Sequence, residues 1–194
     1  MTHPNLRLSA GLLLALGLTS CGSVSSLQTP SGSRSTPVAG NYDHLVVRPL
    51  RDASNPDSFA TWTPEEQREY RQSVKQCGES IASQVITEVS GHSKFKSVGS
   101  KPVKGRTLLV DGEITNFNNG VASLRLFVGM GAGSSHLEGT AFVRDASNGK
   151  EVGRIVIDKA SWPLGGVIAM SQNADKFGQG AAEKIAEEVT KFAP

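Results

Sequence analysis

Two stretches of alternating apolar and polar residues, 137–144 and 151–159, most constrain what this chain can fold into. Such alternation is typical of β-strands with one buried face, because successive side chains point to opposite sides of a sheet. The residues between them include Asn148-Gly149, a pair that accepts the positive backbone φ angles of a tight turn. We therefore predict an antiparallel β-hairpin across this region.

Further strands are predicted earlier in the chain. The run 107–117 alternates in the same way and leads into an Asn-Asn-Gly turn signal at 118–120. We expect the alternating run 121–128 to fold back on it as a second hairpin. A short apolar run at 45–47, stopped by a proline, suits one more strand.

Two helices are predicted from apolar residues spaced three and four apart. The first begins with Thr63 as N-cap and Pro64 at the first helical position, and it ends near Gly91. The second covers about 173–192. Their expected buried stripes are Tyr70, Val74, Cys77, Ile81, Val85 and Val89 on the first helix, and Ala174, Phe177, Ala181, Ile185, Val189 and Phe192 on the second.

The order strand, helix, several strands, helix predicts an α+β fold in one domain, residues 41–194. We expect a two-layer sandwich in which both helices cover one face of a mainly antiparallel sheet. A crossover through the first helix would add a parallel pair, so a mixed sheet is the alternative. Charged residues such as Asp111 and Arg144 are expected to form cross-strand pairs on the uncovered face.

The amino-terminal segment predicts where the protein works. An apolar run that starts at Leu8 ends in Leu18-Thr19-Ser20-Cys21, which resembles the lipobox of bacterial lipoproteins. We expect residues 1–20 to be a signal peptide and Cys21 to carry the lipid that anchors the chain to a membrane. The run is too short for a transmembrane helix, which needs about 20 apolar residues. Gly22, in place of the aspartate that retains enteric lipoproteins at the inner membrane, favours the outer membrane, with the domain facing the periplasm.

The next residues, 21–40, are rich in Gly and Ser and hold few large apolar side chains. Such a composition cannot bury enough surface to offset the entropy of ordering. We predict a flexible tether, whose nineteen residues beyond Cys21 would have an r.m.s. reach of about 25 Å.

Charge and cysteine content exclude several classes of function. The whole chain has a formal net charge of only +2, without a basic cluster, so a nucleic-acid partner is not expected. Lipidation of Cys21 would leave Cys77 as the single thiol, which cannot form an internal disulfide and is expected to be a small buried residue. The histidines stand alone rather than in metal-binding spacings, so neither a metal nor a cofactor is predicted.

A glycine-rich loop is the candidate ligand site, with residues Gly129, Gly131, Gly133, Ser134 and Ser135. Loops of this kind cradle phosphate when a helix follows, because the helix N-terminus then faces the anion. Here a strand pattern follows, which favours a structural joint between two strands. Binding of an anion or another small ligand is the alternative.

A family resemblance rests on the glycines of that loop together with Ser134, Asp145, Gly149 and Lys150. An apolar strand ending in Gly-x-Gly-x-Gly-Ser, an alternating strand, Asp-x-x-x-Gly-Lys and another alternating strand resemble the bacterial lipoproteins grouped as domain of unknown function 4410. The resemblance covers about 41–192, and its distinctive part is 124–157. It implies a lipid-anchored α+β domain that faces the periplasm, and it transfers no catalytic residues.

The connection 161–170 is unusually apolar for a loop. It is expected either to fold over the sheet edge or to be exposed as a contact surface. The candidate interface residues are Trp162, Leu164, Val167, Ile168 and Met170.

These observations predict a non-enzymatic interaction or assembly module of the cell envelope. No Gly-x-Ser-x-Gly elbow is present, and Ser135-His136 are neighbours only in sequence, which does not make a catalytic triad. The expected partners are another envelope protein or further copies of this chain. The alternative is a periplasmic small-ligand module that uses the Gly129–Ser135 loop.

Overall fold

A computed structural model describes residues 22–29, 42–118, 135–160 and 174–194. Within these residues the chain forms six strands, two α-helices and one 3₁₀ turn at Pro56–Phe59. The strands are β1 (Gly22–Val24), β2 (His44–Asp52), β3 (Ser97–Gly99), β4 (Thr107–Asn118), β5 (His136–Asp145) and β6 (Glu151–Ala160), and the helices are α1 (Pro64–His92) and α2 (Ala174–Thr190).

The strands form one mixed sheet in the order β1-β6-β5-β4-β2-β3. Strand β2 runs parallel to both β3 and β4, while the β4–β5, β5–β6 and β1–β6 pairs are antiparallel. Helix α1 is the crossover from β2 to its parallel neighbours, because parallel strands of one sheet need a long connection between them. The predicted α+β sandwich is confirmed, in its mixed form.

The hairpin predicted around Asn148-Gly149 is confirmed. Strands β5 and β6 pair from His136↔Ala160 to Arg144↔Glu151. Gly149 adopts a φ of 70°, the left-handed conformation that the turn needs and that glycine takes without strain.

The second predicted hairpin, between 107–117 and 121–128, is described on its first strand only. Strand β4 has β2 on one side and β5 on the other, and the β5 pairing covers β4 from Leu108 to Asn118. The expected partner run, 121–128, lies outside the described residues. The hairpin therefore stays a prediction, while the pairing of β4 with β5 is a contact that the sequence did not indicate.

The helices and their buried stripes lie where the periodicity predicts. The Thr63 side chain accepts a hydrogen bond from the backbone of Glu66, and the Glu66 carboxylate accepts one from the backbone of Thr63, a reciprocal capping box. Every predicted stripe residue from Val74 to Val89 is buried, including Cys77. Those of α2 from Phe177 to Phe192 are also buried. Both helices thus share one core with the apolar face of the sheet.

Residues 22–29 correct the tether prediction. Strand β1 pairs with β6 through Gly22↔Lys159, and Leu27 is only 2% exposed. Composition indicated a free segment because it averages over many small residues, whereas one leucine and a few backbone hydrogen bonds are enough to hold this stretch on the sheet edge. The remainder of the predicted tether, 30–40, lies outside the described residues.

The sheet face opposite the helices carries the expected charge pairs. Arg144 Nη1 donates to both carboxylate oxygens of Asp111, at 2.5 and 2.6 Å. The Arg144 guanidinium also lies 4.7 Å from the ring centre of Phe142. A cavity of about 220 Å³ opens on this face. Because its charges are matched across strands, the face is typical of a solvated surface.

Candidate functional site

One end of the sheet holds described residues that flank the segments singled out by the sequence. We call it the Gly22 end. A single row of register partners, Gly22, Lys159, Leu137 and Phe117, crosses four strands at this end. With strands spaced about 4.8 Å apart, Gly22 and Phe117 are roughly 14 Å from each other.

An aromatic cluster lies at the Phe117 side of the Gly22 end. The ring centres of Phe59 and Tyr70 are 4.6 Å apart, those of Phe59 and Trp62 are 5.0 Å apart, and those of Trp62 and Tyr70 are 5.7 Å apart. Tyr70 in turn meets Phe117 at 6.4 Å. Phe59 and Phe117 are buried, whereas Trp62 is 39% exposed. The rings therefore form a packed base with one tryptophan presented to the outside.

Local structure fixes the position of each ring. Trp62 immediately precedes the capping box of α1, in which the Thr63 N–H donates to Glu66 Oε2 at 2.7 Å. The Gln67 side-chain amide donates to the carbonyls of both Phe59 and Trp62 at 3.3 Å, which ties the 3₁₀ turn to the helix. The hydroxyls of Ser54 and Tyr70 lie 2.7 Å apart. The cluster is thus held by hydrogen bonds as well as by packing.

A cavity of about 670 Å³ opens beside the cluster. Strand β4 continues past its last β2 pairing, Asp52↔Ile114, so the end of β4 faces the start of α1 with no strand of the described residues between them. Four aromatic rings and several hydroxyl and amide groups form its wall: Ser54, Asn55, Ser58, Phe59, Trp62, Glu66, Glu69, Tyr70, Ser73, Thr115, Asn116, Phe117 and Asn118. Its size and mixed lining are those of a binding pocket.

Two titratable groups in the cavity wall, Glu66 and Tyr70, have pKa values shifted by their surroundings. Hydrogen bonds from the Thr63 backbone, and then from its hydroxyl, hold the pKa of Glu66 below its usual value. Burial raises the pKa of Tyr70 above its usual value, with Asp52 nearby acting in the same direction. Glu66 is therefore ionised and committed to the helix cap at neutral pH, and Tyr70 is a neutral hydroxyl. Neither has the pKa near neutrality that suits a general base.

The structure describes only one of the sequence-predicted site residues. Ser135, the last residue of the candidate ligand loop, is fully buried just before β5. Cys21, the rest of that loop (129–134) and the candidate interface within 161–170 lie outside the described residues. The described residues that flank the two inner segments do lie at the Gly22 end, since Asn118, His136 and Ala160 are register partners there.

The aromatic cluster is the feature that sequence reasoning missed. Residues 52–63 read as a turn-rich segment, and Tyr70 as one more member of a helix stripe. A usable signal was present, because Phe59 and Trp62 are large aromatic residues in an otherwise polar stretch. Phe117 could not have been joined to them before the pairing of β4 was known.

Membrane and metal features were also sought within the described part of the chain. Neither α1 nor α2 combines the length and the apolar character that a membrane-crossing helix needs. Among residues 22–29, 42–118, 135–160 and 174–194, no three His, Cys, Asp or Glu side chains converge as metal ligands.

Comparison with known proteins shows a family and returns several solved structures of low similarity. The model of the family described as "Domain of unknown function (DUF4410)" matches residues 46–165, well over half of the chain. The PelC dodecamer from Paraburkholderia phytofirmans is 15% identical with a TM-score of 0.47, covering 89% of this chain and 100% of PelC. Protein XCC0632 from Xanthomonas campestris is 13% identical with a TM-score of 0.42, covering 87% and 91% of the two chains.

A candidate lipoprotein from Caulobacter crescentus is 19% identical with a TM-score of 0.35, covering 59% of this chain and 80% of its own. No curated protein is significantly similar in sequence. Similarities of this size to solved structures carry no conclusion about function.

Proposed function

Because the chain belongs to the DUF4410 family, we propose that it is a lipid-anchored lipoprotein of the bacterial cell envelope that works as a non-enzymatic protein-interaction module. The observation that carries the proposal is the exposed Trp62 on the rim of the aromatic cavity. Tryptophan and tyrosine in well-packed pockets are the residues that most often dominate the energy of protein interfaces.

Several features of the cavity support binding rather than catalysis. Its aromatic base is already packed, so a partner would pay little to order it. Of the two carboxylates in its wall, Glu66 is held by the helix cap, and the Tyr70 phenol shares a hydrogen bond with Ser54. An apolar side chain of a partner can enter the cavity and pack on its aromatic base, while polar groups of the wall such as the Ser58 hydroxyl meet the partner's backbone.

The interaction is tested by photo-crosslinking in cells that make the full-length protein. A photoreactive phenylalanine in place of Trp62 should give a discrete protein adduct, either with another envelope protein or with a second copy of this chain. The matched control is Val103, which is similarly exposed at 41% but lies at the opposite end of the sheet, where the Thr107 hydroxyl donates to its carbonyl. Equal crosslinking at both positions, or no protein adduct at position 62, would contradict the proposal.

Lipid anchoring is tested separately at Cys21. Serine offers no thiolate for the diacylglyceryl transfer, so Cys21→Ser should abolish lipidation and leave the signal peptide attached. Mass spectrometry of the wild-type protein should show a mature chain that begins with acylated Cys21. An unmodified Cys21 with residues 1–20 retained would refute the lipoprotein assignment.

Small-ligand binding is the second candidate function, and the cavity volume of about 670 Å³ favours it. Pockets for drug-sized ligands span roughly 300–1,000 Å³. Two carboxylates in the wall, Glu66 and Glu69, disfavour an anionic ligand here. A ligand present at 100 times its Kd would stabilise the native protein by about 2.7 kcal/mol, so a thermal-shift screen that compares wild type with Trp62→Ala separates this function from protein binding.

A further inference from the structure

The segment that directly follows the predicted lipid anchor is built into the sheet. Beyond the β1–β6 pairs, the Ser25 N–H donates to the Val156 carbonyl at 2.9 Å. Gln28 and Arg154 exchange backbone hydrogen bonds of 2.8 and 2.7 Å. We call residues 22–29 the strap. Its hydrogen bonds follow β6 along most of its length, so the strap is an edge strand rather than a loose end.

A notch in the sheet receives the strap's leucine. Leu27 lies over Gly153 of β6, where a Cβ on residue 153 would come within 2.7 Å of Leu27 Cδ1 and 2.8 Å of its Cγ. A larger residue at position 153 would force the Leu27 side chain to shift. Leu27 consequently belongs to the same buried cluster as the helices and the sheet.

Helix α2 closes over the strap from the other side. Glu188 is 2% exposed, and its carboxylate accepts a hydrogen bond from the Leu27 backbone N–H. Lys184 and Lys191 balance its charge, with Nζ–Oε distances of 3.0 and 2.8 Å. A buried carboxylate without these three partners would be costly. The hydrogen bond from Leu27 is the one of the three that joins the strap to α2.

The position of the strap decides how a lipid on Cys21 would hold the domain. Cys21 precedes Gly22, so their Cα atoms are about 3.8 Å apart. A free tether of the predicted length would instead place the domain at an r.m.s. distance of about 25 Å from Cys21, in no fixed orientation. We infer that the seated strap fixes the domain on the membrane by its Gly22 end, so that this end lies against the lipid surface. The inference rests on the lipidation of Cys21 proposed above.

The orientation has a consequence for the aromatic cavity. Trp62 and Phe117 lie at the same end as the anchor, within the span of four strands. A partner that reaches the cavity therefore meets it at the membrane surface. A membrane protein, or a second copy anchored to the same bilayer, fits this geometry.

The inference is tested by the distance of two labels from a bilayer. Full-length lipidated protein, with Cys77→Ala to remove the buried thiol, is reconstituted into vesicles of phosphatidylethanolamine and phosphatidylglycerol that carry a headgroup acceptor dye. A donor dye is placed either at Asp158→Cys, which is exposed at the Gly22 end, or at Val103→Cys at the opposite end. The register places Asp158 level with Asn116, and nine residues of β4 separate that level from Thr107, about 30 Å along the strand.

Energy transfer should place the Asp158 label nearer the bilayer than the Val103 label, by up to that 30 Å. Leu27→Asp should unseat the strap, because it puts a charge into the Gly153 notch beside Glu188, and the difference between the labels should then collapse. Ser26→Asp is the matched control, since it adds the same charge at an exposed strap position and should keep the difference. Gly153→Ala attacks the same contact from the sheet and should act like Leu27→Asp.

Each outcome bears on the inference. The wild-type protein could float with the vesicles and yet hold the Asp158 and Val103 labels at equal distances from the bilayer. That result would overturn the orientation and leave the lipoprotein proposal standing. A difference that survives both Leu27→Asp and Gly153→Ala would show that the strap does not set it. If the wild-type protein carried no lipid and did not float with the vesicles, both the orientation and the lipoprotein proposal would be overturned.

Discussion

Gly78 is the point at which helix α1 rests directly on strand β2. A Cβ on residue 78 would lie 2.1 Å from the backbone oxygen of Leu50 and 3.0 Å from its carbonyl carbon. Ordinary van der Waals contact begins at 3.4 Å. Because both sides are backbone, no side-chain rotation relieves the overlap, and Gly78→Ala must push α1 away from the sheet.

The change in stability in Gly78→Ala can be compared with that of a control substitution in the same helix, Gly91→Ala. Overpacking costs about 1–3 kcal/mol, and we take the upper figure because the clash is with backbone. Alanine returns about 1 kcal/mol through its better helix propensity, so Gly78→Ala should lower the free energy of unfolding by about 2 kcal/mol. Gly91→Ala, in the same helix with nothing within 4 Å of its Cβ, should keep the propensity gain and stabilise by up to about 1 kcal/mol.

Thermal and urea unfolding of Gly78→Ala and Gly91→Ala measure this difference in stability. The difference of about 3 kcal/mol corresponds to roughly 6–12 °C in Tm for a domain of this size. The aromatic cavity should also change in Gly78→Ala, since the start of α1 forms its wall, and Trp62 fluorescence in a Trp162→Phe background reports that change. Equal melting temperatures for the two alanine variants would refute the close contact between α1 and β2.

Three further predictions concern other residues. Cys77→Ala should cost roughly 1 kcal/mol or somewhat more without loss of function, as expected for trimming a small buried side chain, and fast labelling of native Cys77 by a bulky thiol reagent would contradict its burial. For Glu188, burial alone would raise the pKa, but hydrogen bonds from Lys191, Lys184 and the strap outweigh it, and the pKa lies below its usual value. The stabilisation is thus complete above the unfolded value of about 4.3 and is lost as the pH falls through the lower folded value, so Glu188→Gln should reduce Tm at neutral pH and flatten its decline in acid. Trp162→Ala with Met170→Ser should weaken oligomer or partner binding at nearly constant Tm if 161–170 is a contact surface, whereas a loss of several kcal/mol would identify the segment as core.

The elements that depend on neighbouring residues could be predicted from the sequence. The capping box of α1 needs only Thr63 and Glu66, three residues apart, and the β5–β6 turn needs only Asn148-Gly149 in the right place. The buried stripes followed from helical periodicity for the same reason. The fold class followed from the order of the elements, and the resemblance of 124–157 pointed to the DUF4410 family, whose model matches residues 46–165.

Pairing between distant segments could not be predicted in this way. The pairing of β4 with β5 joins segments that are far apart in the chain, and it is decided by which apolar faces complete the core and not by a nearby turn signal. The aromatic cavity likewise depends on β4 outrunning β2, a difference of strand length that appears only in the register.

The strap shows most clearly what the sequence determines and what the tertiary structure determines. The sequence alone determined that Cys21 is a lipidation candidate and that the residues after it are small and polar. Only the tertiary structure decided that those residues lie on the sheet, because the Gly153 notch and the Glu188 carboxylate come from strands and helices more than 120 positions further along the chain. Composition measures the average tendency of a segment to order itself, whereas a few specific contacts with a preformed core can overcome that tendency.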